Sequence, residues 1–269
     1  LPNLGNIGKV YVFVKSAPSL LSLDKAKSIA GNIGFNGSPQ ALDSQNYRFT
    51  TQTTPAAILD INILSNNFKF RYEYANDPNI LIERKLPTEE QATGEAKNFL
   101  SKMGMLTEDL SKGKSAISFY KSSVENLLPA ASISEADFLK VSLLKQDLNE
   151  LPVLPEKPTE GPITFLFSGS RDPSKRILEI NYAYNKINKD YFATYPLKSS
   201  AAAWQELTEG KGFVSNVGNP INGKVIIRKV TLASYDSNEP QNYLQPIFVF
   251  EGDNNFIGYV SAIDPQWVD

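Results

Sequence analysis

The order helix, glycine, antiparallel strands in the C-terminal third most constrains the fold of this chain. Residues 201–207 have the apolar spacing of a short helix, and two glycines, Gly210 and Gly212, end it. Three runs with β-strand patterning follow, at residues 225–235, 243–251 and 256–263. This order predicts a helix packed against an antiparallel sheet.

The same order occurs twice earlier in the chain. Residues 23–35 and 89–105 are alanine-rich amphipathic helix patterns closed by a glycine and an apolar residue, as residues 201–213 are. We therefore predict an α+β fold of repeated helix-plus-antiparallel-sheet modules, in two or three closely packed lobes. The remaining predicted strands are residues 9–15, 47–51, 58–64, 68–74, 115–121, 138–144, 163–168 and 176–187.

The predicted domain organisation has three contiguous parts. An N-terminal helix-plus-sheet lobe spans 1–86, a central lobe spans 87–198, and a C-terminal module spans 199–269. The central lobe contains a stretch at 151–162 with four prolines and almost no apolar periodicity. Such a stretch is typical of an extended surface connection or a stretched hairpin loop rather than of a core element.

The absence of two residue types limits the chemistry. The 269 residues include no histidine and no cysteine, which excludes Ser-His-Asp catalysis, zinc hydrolysis and dithiol redox chemistry. The net charge is −2, with 27 basic and 29 acidic residues, so nothing indicates nucleic-acid binding. We predict no catalytic residue, no cofactor and no metal site.

Carboxylate chemistry stays open as an alternative. The candidate pairs are Asp60 with Glu73 and Glu179 with Asp190, but carboxylates at alternating strand positions usually face water. The acidic loops at 236–239 and 253–255 carry oxygen ligands suited to calcium, although Asp and Asn favour turns for backbone reasons. We favour the turn interpretation.

The densest aromatic stretch supplies the candidate binding residues. Tyr182, Tyr184, Tyr191, Tyr195 and Trp204 lie within 23 positions of one another. If their rings were exposed together, they would form a surface for stacking on sugars or gripping a peptide. Alternating tyrosines on a strand are also ordinary half-buried sheet residues.

The C-terminal pattern resembles the YycI/YycH group of proteins. The resemblance rests on Trp204 and Leu207 in a short helix, followed by residues 212–214, 230–235, 244–250 and 258–263. It implies PepSY-like modules in an extracytoplasmic regulatory protein that one N-terminal helix tethers to a bacterial membrane. It implies action through partner contacts and no catalytic residue.

The predicted function is a non-catalytic, extracytoplasmic domain of the cell envelope, tethered by a segment that precedes this chain. It binds a protein or peptide partner, such as a membrane protein, through a sheet edge or a groove. Two alternatives from other classes are a carbohydrate-binding envelope module and a carboxylate-dependent hydrolase.

Overall fold

A computed structural model of the protein describes residues 1–83, 85–123, 126–220, 222–237, 239 and 241–267. The predicted α+β fold class is confirmed. The helices of the described residues are α1 (Ser22–Ile33), α2 (Glu89–Lys102), α3 (Glu108–Lys112), α4 (Pro173–Arg176) and α5 (Ser200–Thr208). The strands are β1 (Ile7–Phe13), β2 (Gln40–Ala41), β3 (Asn46–Thr50), β4 (Ala57–Asn62), β5 (Phe68–Tyr72), β6 (Ser115–Ser122), β7 (Leu127–Ala130), β8 (Phe138–Leu143), β9 (Val153–Leu154), β10 (Ile163–Phe167), β11 (Ile177–Tyr182), β12 (Ile187–Pro196), β13 (Phe213–Asn216), β14 (Ile227–Tyr235), β15 (Tyr243–Gly252) and β16 (Ile257–Ser261).

The chain divides into two compact units, each with its own sheet. These units do not coincide with the three contiguous parts 1–86, 87–198 and 199–269, because β5 of the first part pairs with β11 of the second. The first unit comprises Leu1–Val14, Lys145–Pro158 and Asn185–Asp269, and the second comprises Lys15–Leu144 and Thr159–Tyr184.

The second unit contains an antiparallel sheet of nine strands. Their order is β2-β3-β4-β5-β11-β10-β8-β6-β7. Helices α1 and α2 contribute fully buried small and apolar side chains to its main apolar cluster, among them Ala26, Ala30, Ala92, Ala96 and Leu100. The small alanine side chains let both helices pack closely, which explains the alanine-rich pattern in the sequence.

Helix ends in the second unit form where the sequence predicts them. Thr88 and Gln91 form a complete capping box at the start of α2. Gly34 ends α1 in the left-handed conformation with φ 106°, and the Phe35 N–H donates to the Ala30 carbonyl at 2.9 Å. Phe35 is buried in the same apolar cluster.

The first unit contains a seven-stranded sheet. Its order is β12-β1-β15-β14-β9, and β16 pairs with both β15 and β13. Ala203 of α5 packs in one buried cluster with Val230, Phe248, Phe250 and Val260. The predicted C-terminal order, one helix followed by the strands β14, β15 and β16, is confirmed.

The proline-rich stretch differs from the prediction. Residues 151–162 include β9, which pairs in parallel with β14, and Val153 is only 5% exposed. The apolar pair Val153–Leu154 lies between Pro152 and Pro155, so the residues without an N–H flank the short strand. The prediction of a purely surface connection is therefore wrong at these two residues.

In two predicted strands, another element begins before the predicted end. The run at 68–74 stops at Tyr72, and Tyr74 begins a 3-10 turn. The run at 176–187 is divided, because β11 ends at Tyr182 and a new ten-residue strand, β12, begins at Ile187. Strand β12 was not predicted from the sequence.

Candidate functional site: the exposed edge of strand β12

Strand β12 forms one end of the first unit's sheet. Among the described residues it pairs with β1 alone, antiparallel, with Val10 opposite Ala193 and Gly8 opposite Tyr195. Residues 189–194 are all exposed, and the side chains include Tyr191, 70% exposed, and Phe192, 44% exposed. The strand is therefore an accessible sheet edge with aromatic side chains.

The hydrogen-bond pattern shows which backbone groups of β12 face away from β1. The Leu197 N–H donates to the Asn6 carbonyl at 2.9 Å, one position beyond the ladder. Leu197 and Asn6 are therefore a hydrogen-bonded pair. Because hydrogen-bonded and non-hydrogen-bonded pairs alternate along an antiparallel ladder, Tyr195 and Ala193, two and four positions before Leu197, also form backbone hydrogen bonds with β1. The N–H and C=O groups of Phe192 and Thr194 therefore point outward, as an unsatisfied template for another strand.

Pairing on the other side of β1 gives the same result. The Phe13 N–H donates to the Asn242 carbonyl at 3.1 Å, and Tyr11 lies opposite Leu244 of β15. By the same alternation, the Tyr11 backbone bonds toward β15 and not toward Phe192, which lies opposite it on β12. The Phe192 backbone is thus directed to the open side.

Contacts with β1 fix the Phe192 ring. Its centroid lies 5.5 Å from that of Tyr11, and the Lys9 ammonium lies 4.3 Å above the ring centre. Tyr11 is buried, and Asn149 donates a side-chain hydrogen bond to its hydroxyl. Burial raises the pKa of Tyr11 above its ordinary value, while the bond from Asn149 opposes that effect.

A bulge separates the two halves of the β12 edge. Tyr11 pairs with Phe192, but the next residue, Val12, pairs with Asn188. Residues 189–191 therefore have no opposite residue on β1. They carry one charge of each sign, on Lys189 and Asp190, and Tyr191 begins the aromatic half of the strand.

The structure separates the five predicted aromatic residues. Tyr191 and Tyr195 lie on β12, whereas Tyr182 and Tyr184 belong to the second unit. Tyr182 is 5% exposed, stacks on Phe68 with centroids 5.4 Å apart, and donates to the Met105 carbonyl at 3.2 Å. Its ring is a core contact.

Tyr184 is also held inside the second unit. Its hydroxyl lies 3.0 Å from both carboxylate oxygens of Asp109. Burial raises the pKa of Tyr184 and of Tyr182 well above the ordinary tyrosine value, and the negative charge of Asp109 adds to this in both. Both hydroxyl groups are thus held by contacts within the second unit.

Trp204 lies on α5, apart from the strand positions of the tyrosines. It is 36% exposed, and its ring centre is 5.9 Å from that of Phe250. It borders an open hollow of about 670 Å³, lined by Leu1, Pro2 and residues 225–230. Most of its lining residues are apolar, and the two cationic side chains on its rim, Arg228 and Lys229, pair with Asp253 and Glu251.

Two of the four candidate catalytic carboxylates, those of Asp60 and Glu179, interact with neighbouring side chains. Arg48 binds Asp60 through two hydrogen bonds of 2.7 Å each. Burial raises the pKa of Tyr74 to about 12, and the nearby carboxylate of Glu179 adds to this effect. Glu179 belongs to the second unit and Asp190 to the first.

The two acidic loops are occupied by turns and ion pairs. Asp253 is bound by Arg228, and Asn254 and Asn255 adopt left-handed φ angles of 55° and 65°. Within the 236–239 loop, Asn238 lies outside the described residues, and Asp236 pairs with Lys145 at 2.9 Å. In the described part of the chain, no group of three acidic side chains is arranged to hold a metal ion.

No family model matches the sequence, and no curated protein matches it. Among solved structures, the Bacillus megaterium YpeB C-terminal domain is similar to this chain with a TM-score of 0.39 and 12% sequence identity. The similarity covers 93% of this chain and 95% of that domain. None of the helices in the described ranges is long and apolar enough to cross a membrane.

The main residues of the β12 edge, Phe192 and Thr194, were missed from the sequence. A signal was present, because Tyr191–Tyr195 combines aromatic and β-branched residues and Pro196 follows at the end. The polar residues 188–190 before it are typical of a loop, and Lys189 and Asp190 lie in the bulge. The loop-like residues of the bulge therefore hid the strand pattern of β12 in the sequence.

Proposed function

We propose that this chain is a non-catalytic extracytoplasmic domain that binds an extended protein or peptide segment along the β12 edge. The observation that carries the proposal is the pair of outward-facing backbone sites at Phe192 and Thr194 on an exposed strand. In binding by strand addition, such main-chain groups supply affinity. The partner segment would lie antiparallel or parallel beside β12.

The side chains of β12 would select the partner. Ala193 and Tyr195 lie on one face of the strand and Phe192 lies on the other, against Tyr11, while Tyr191 lies in the bulge before them. Aromatic cross-strand pairs contribute about 0.2–1 kcal/mol each relative to alanine pairs. A segment with aromatic or β-branched residues at alternating positions therefore fits this edge best.

The extracytoplasmic location and the membrane tether belong to the same proposal. They are supported by the resemblance of residues 204–263 to the YycI/YycH group. In this proposal the chain is the partner-binding part of a regulatory protein, and a preceding segment anchors it.

Carbohydrate binding is the second candidate. The exposed ring of Tyr191 favours it, because sugars stack on exposed aromatic faces. Of the five predicted aromatic residues, Tyr182 is buried and Tyr184 is partly buried, so the most exposed ring of the five is that of Tyr191. This candidate predicts retention on purified cell-wall glycan.

A backbone-specific variant tests the main proposal. Thr194→Pro removes an outward N–H without removing a bond to β1, whereas the matched control Thr194→Val keeps that N–H and a β-branched side chain. We expect wild type and Thr194→Val to capture the same protein from a bacterial envelope extract, and Thr194→Pro to lose it. Equal capture by all three chains, or retention on glycan alone, would contradict the proposal.

A further inference from the structure

We infer that the segment paired with β12 is the β12 strand of a second copy, antiparallel and centred on Ala193. The inference rests on the proposed use of the β12 edge and names its occupant. A strand that pairs with its own copy around a two-fold axis forms an isologous contact, in which each residue pair occurs twice.

Backbone bonding favours the centre at Ala193. With that centre, Phe192 of one copy faces Thr194 of the other, and both residues carry outward N–H and C=O groups. Each therefore finds a bonded partner, on both sides of the axis. A centre at Thr194 would place Phe192 opposite Pro196, which has no N–H to donate.

Side-chain matching favours the same centre. Ala193, the smallest side chain of the aromatic half, would meet itself at the axis, and Tyr191 would face Tyr195 of the second copy twice. A centre at Phe192 would instead set Tyr191 opposite Ala193 and Asp190 opposite Thr194. That arrangement leaves the tyrosine rings without ring partners.

Charge does not oppose the approach of a second copy. The strand carries Lys189 and Asp190, which cancel, and the whole chain has a net charge of only −2. The aromatic half, residues 191–196, contains no lysine or other charge of the kind that protects exposed edges from self-pairing. Lys9 lies on β1, and its ammonium lies over the Phe192 ring, on one face of β12 rather than in line with its open edge.

The contact is short, so the dimer is expected to depend on concentration. Stable interfaces usually bury about 1,200–2,000 Å² in total, and an edge pairing over residues 191–196 alone is smaller than that. The test therefore has to trap the paired state rather than rely on a stable dimer.

Disulfide cross-linking can trap the paired state. The sequence has no cysteine, so one introduced cysteine is the only thiol in the chain. In the proposed pairing Ala193 faces itself at a non-bonded position, where Cα atoms lie about 4.5 Å apart, within the range that a disulfide spans. We expect Ala193→Cys to form a disulfide dimer on mild oxidation, visible on a non-reducing gel. The Tyr191→Cys variant should stay monomeric, because in the same pairing the two residues at position 191 lie about four residues apart along the strands.

Second-site variants separate strand pairing from random collision. The dimer of Ala193→Cys should persist with Thr194→Val and be lost with Thr194→Pro. A monomeric Ala193→Cys chain, or equal cross-linking of Ala193→Cys and Tyr191→Cys, would overturn the inference, and a dimer through Phe192→Cys instead would overturn the centre at Ala193.

The cross-linking and capture experiments distinguish failure of the self-pairing inference from failure of the proposed partner binding at β12. If Ala193→Cys stays monomeric while Thr194→Pro still abolishes capture of another protein, the second copy is ruled out and partner binding at β12 stands. If Ala193→Cys cross-links specifically and no variant alters capture, self-pairing stands without a different partner.

Discussion

Individual buried charged side chains form hydrogen bonds and ion pairs with residues that are distant in the sequence. In the second unit, Asp77 accepts hydrogen bonds from the Tyr72 hydroxyl at 2.8 Å and from the Lys175 ammonium at 2.6 Å. In the first unit, Lys145 binds Asp236 at 2.9 Å and donates to the Asn185 carbonyl at 2.6 Å. Each group of contacts makes a distinct prediction about stability.

Acidic pH should remove the contribution of the Asp77 carboxylate to folding stability. The hydrogen bond from Lys175 holds the pKa of Asp77 below its ordinary value of about 3.9, with help from the Asn79 N–H and Tyr72. A lowered folded-state pKa stabilises the protein above the unfolded pKa, and this stabilisation is lost as pH falls through the folded value. We expect Asp77→Asn to be less stable than wild type at pH 7, with the difference narrowing below about pH 4. Urea unfolding across pH measures it, and a constant difference would contradict the assignment.

Removing one partner of the buried Lys145–Asp236 ion pair should lower the stability of the protein substantially. The side chains of Lys145 and Asp236 are 1% and 2% exposed, so Lys145→Met takes away the cation nearest a buried carboxylate. We expect a loss of about 3–5 kcal/mol in the free energy of unfolding. The exposed pair Lys229–Glu251 is the matched control, and Lys229→Met should change the stability by less than about 1 kcal/mol. Equal effects of the two variants would contradict this account.

At the scale of elements, local signals in the sequence determine helix ends and most strands. The capping box at Thr88 and the terminal glycine at Gly34 are short-range features, and both form as predicted. Strand β12 and the buried residue Val153 were not predicted, because their strand character depends on pairing with β1 and β14. Likewise, no sequence pattern distinguishes the buried Tyr182 from the exposed Tyr191. Burial of a strand tyrosine depends on which element covers it.

The cap of α2 gives a prediction at this scale. The Thr88 hydroxyl accepts the Gln91 N–H, and the Gln91 side chain accepts the Thr88 N–H at 3.0 Å. Thr88→Ala should lower the free energy of unfolding by about 1 kcal/mol, because a backbone donor loses its partner. Thr88→Ser keeps the oxygen and serves as the control in chemical denaturation. An Ala variant as stable as the Ser variant would contradict the role of the cap.

At the scale of the whole molecule, the described residues form two sheets, and β12 belongs to the sheet of the first unit. The repeated modules predicted from the sequence correspond to real helix and strand order, but strand pairing regroups them into two discontinuous units. The central claim is that the outward backbone groups of β12 are free to bind an added strand. It depends on ladder alternation at Phe192 and Thr194.

Amide hydrogen exchange of the β12 residues, followed by NMR, tests that claim most directly. In dilute protein, Ala193 and Tyr195 should exchange slowly because they bond to β1, while Phe192 and Thr194 exchange fast. Adding the captured partner, or concentrating the protein if the partner is a second copy, should slow exchange at Phe192 and Thr194 selectively. Slow exchange of all four amides in the dilute protein, or partner-induced protection elsewhere with none at Phe192 and Thr194, would contradict the account.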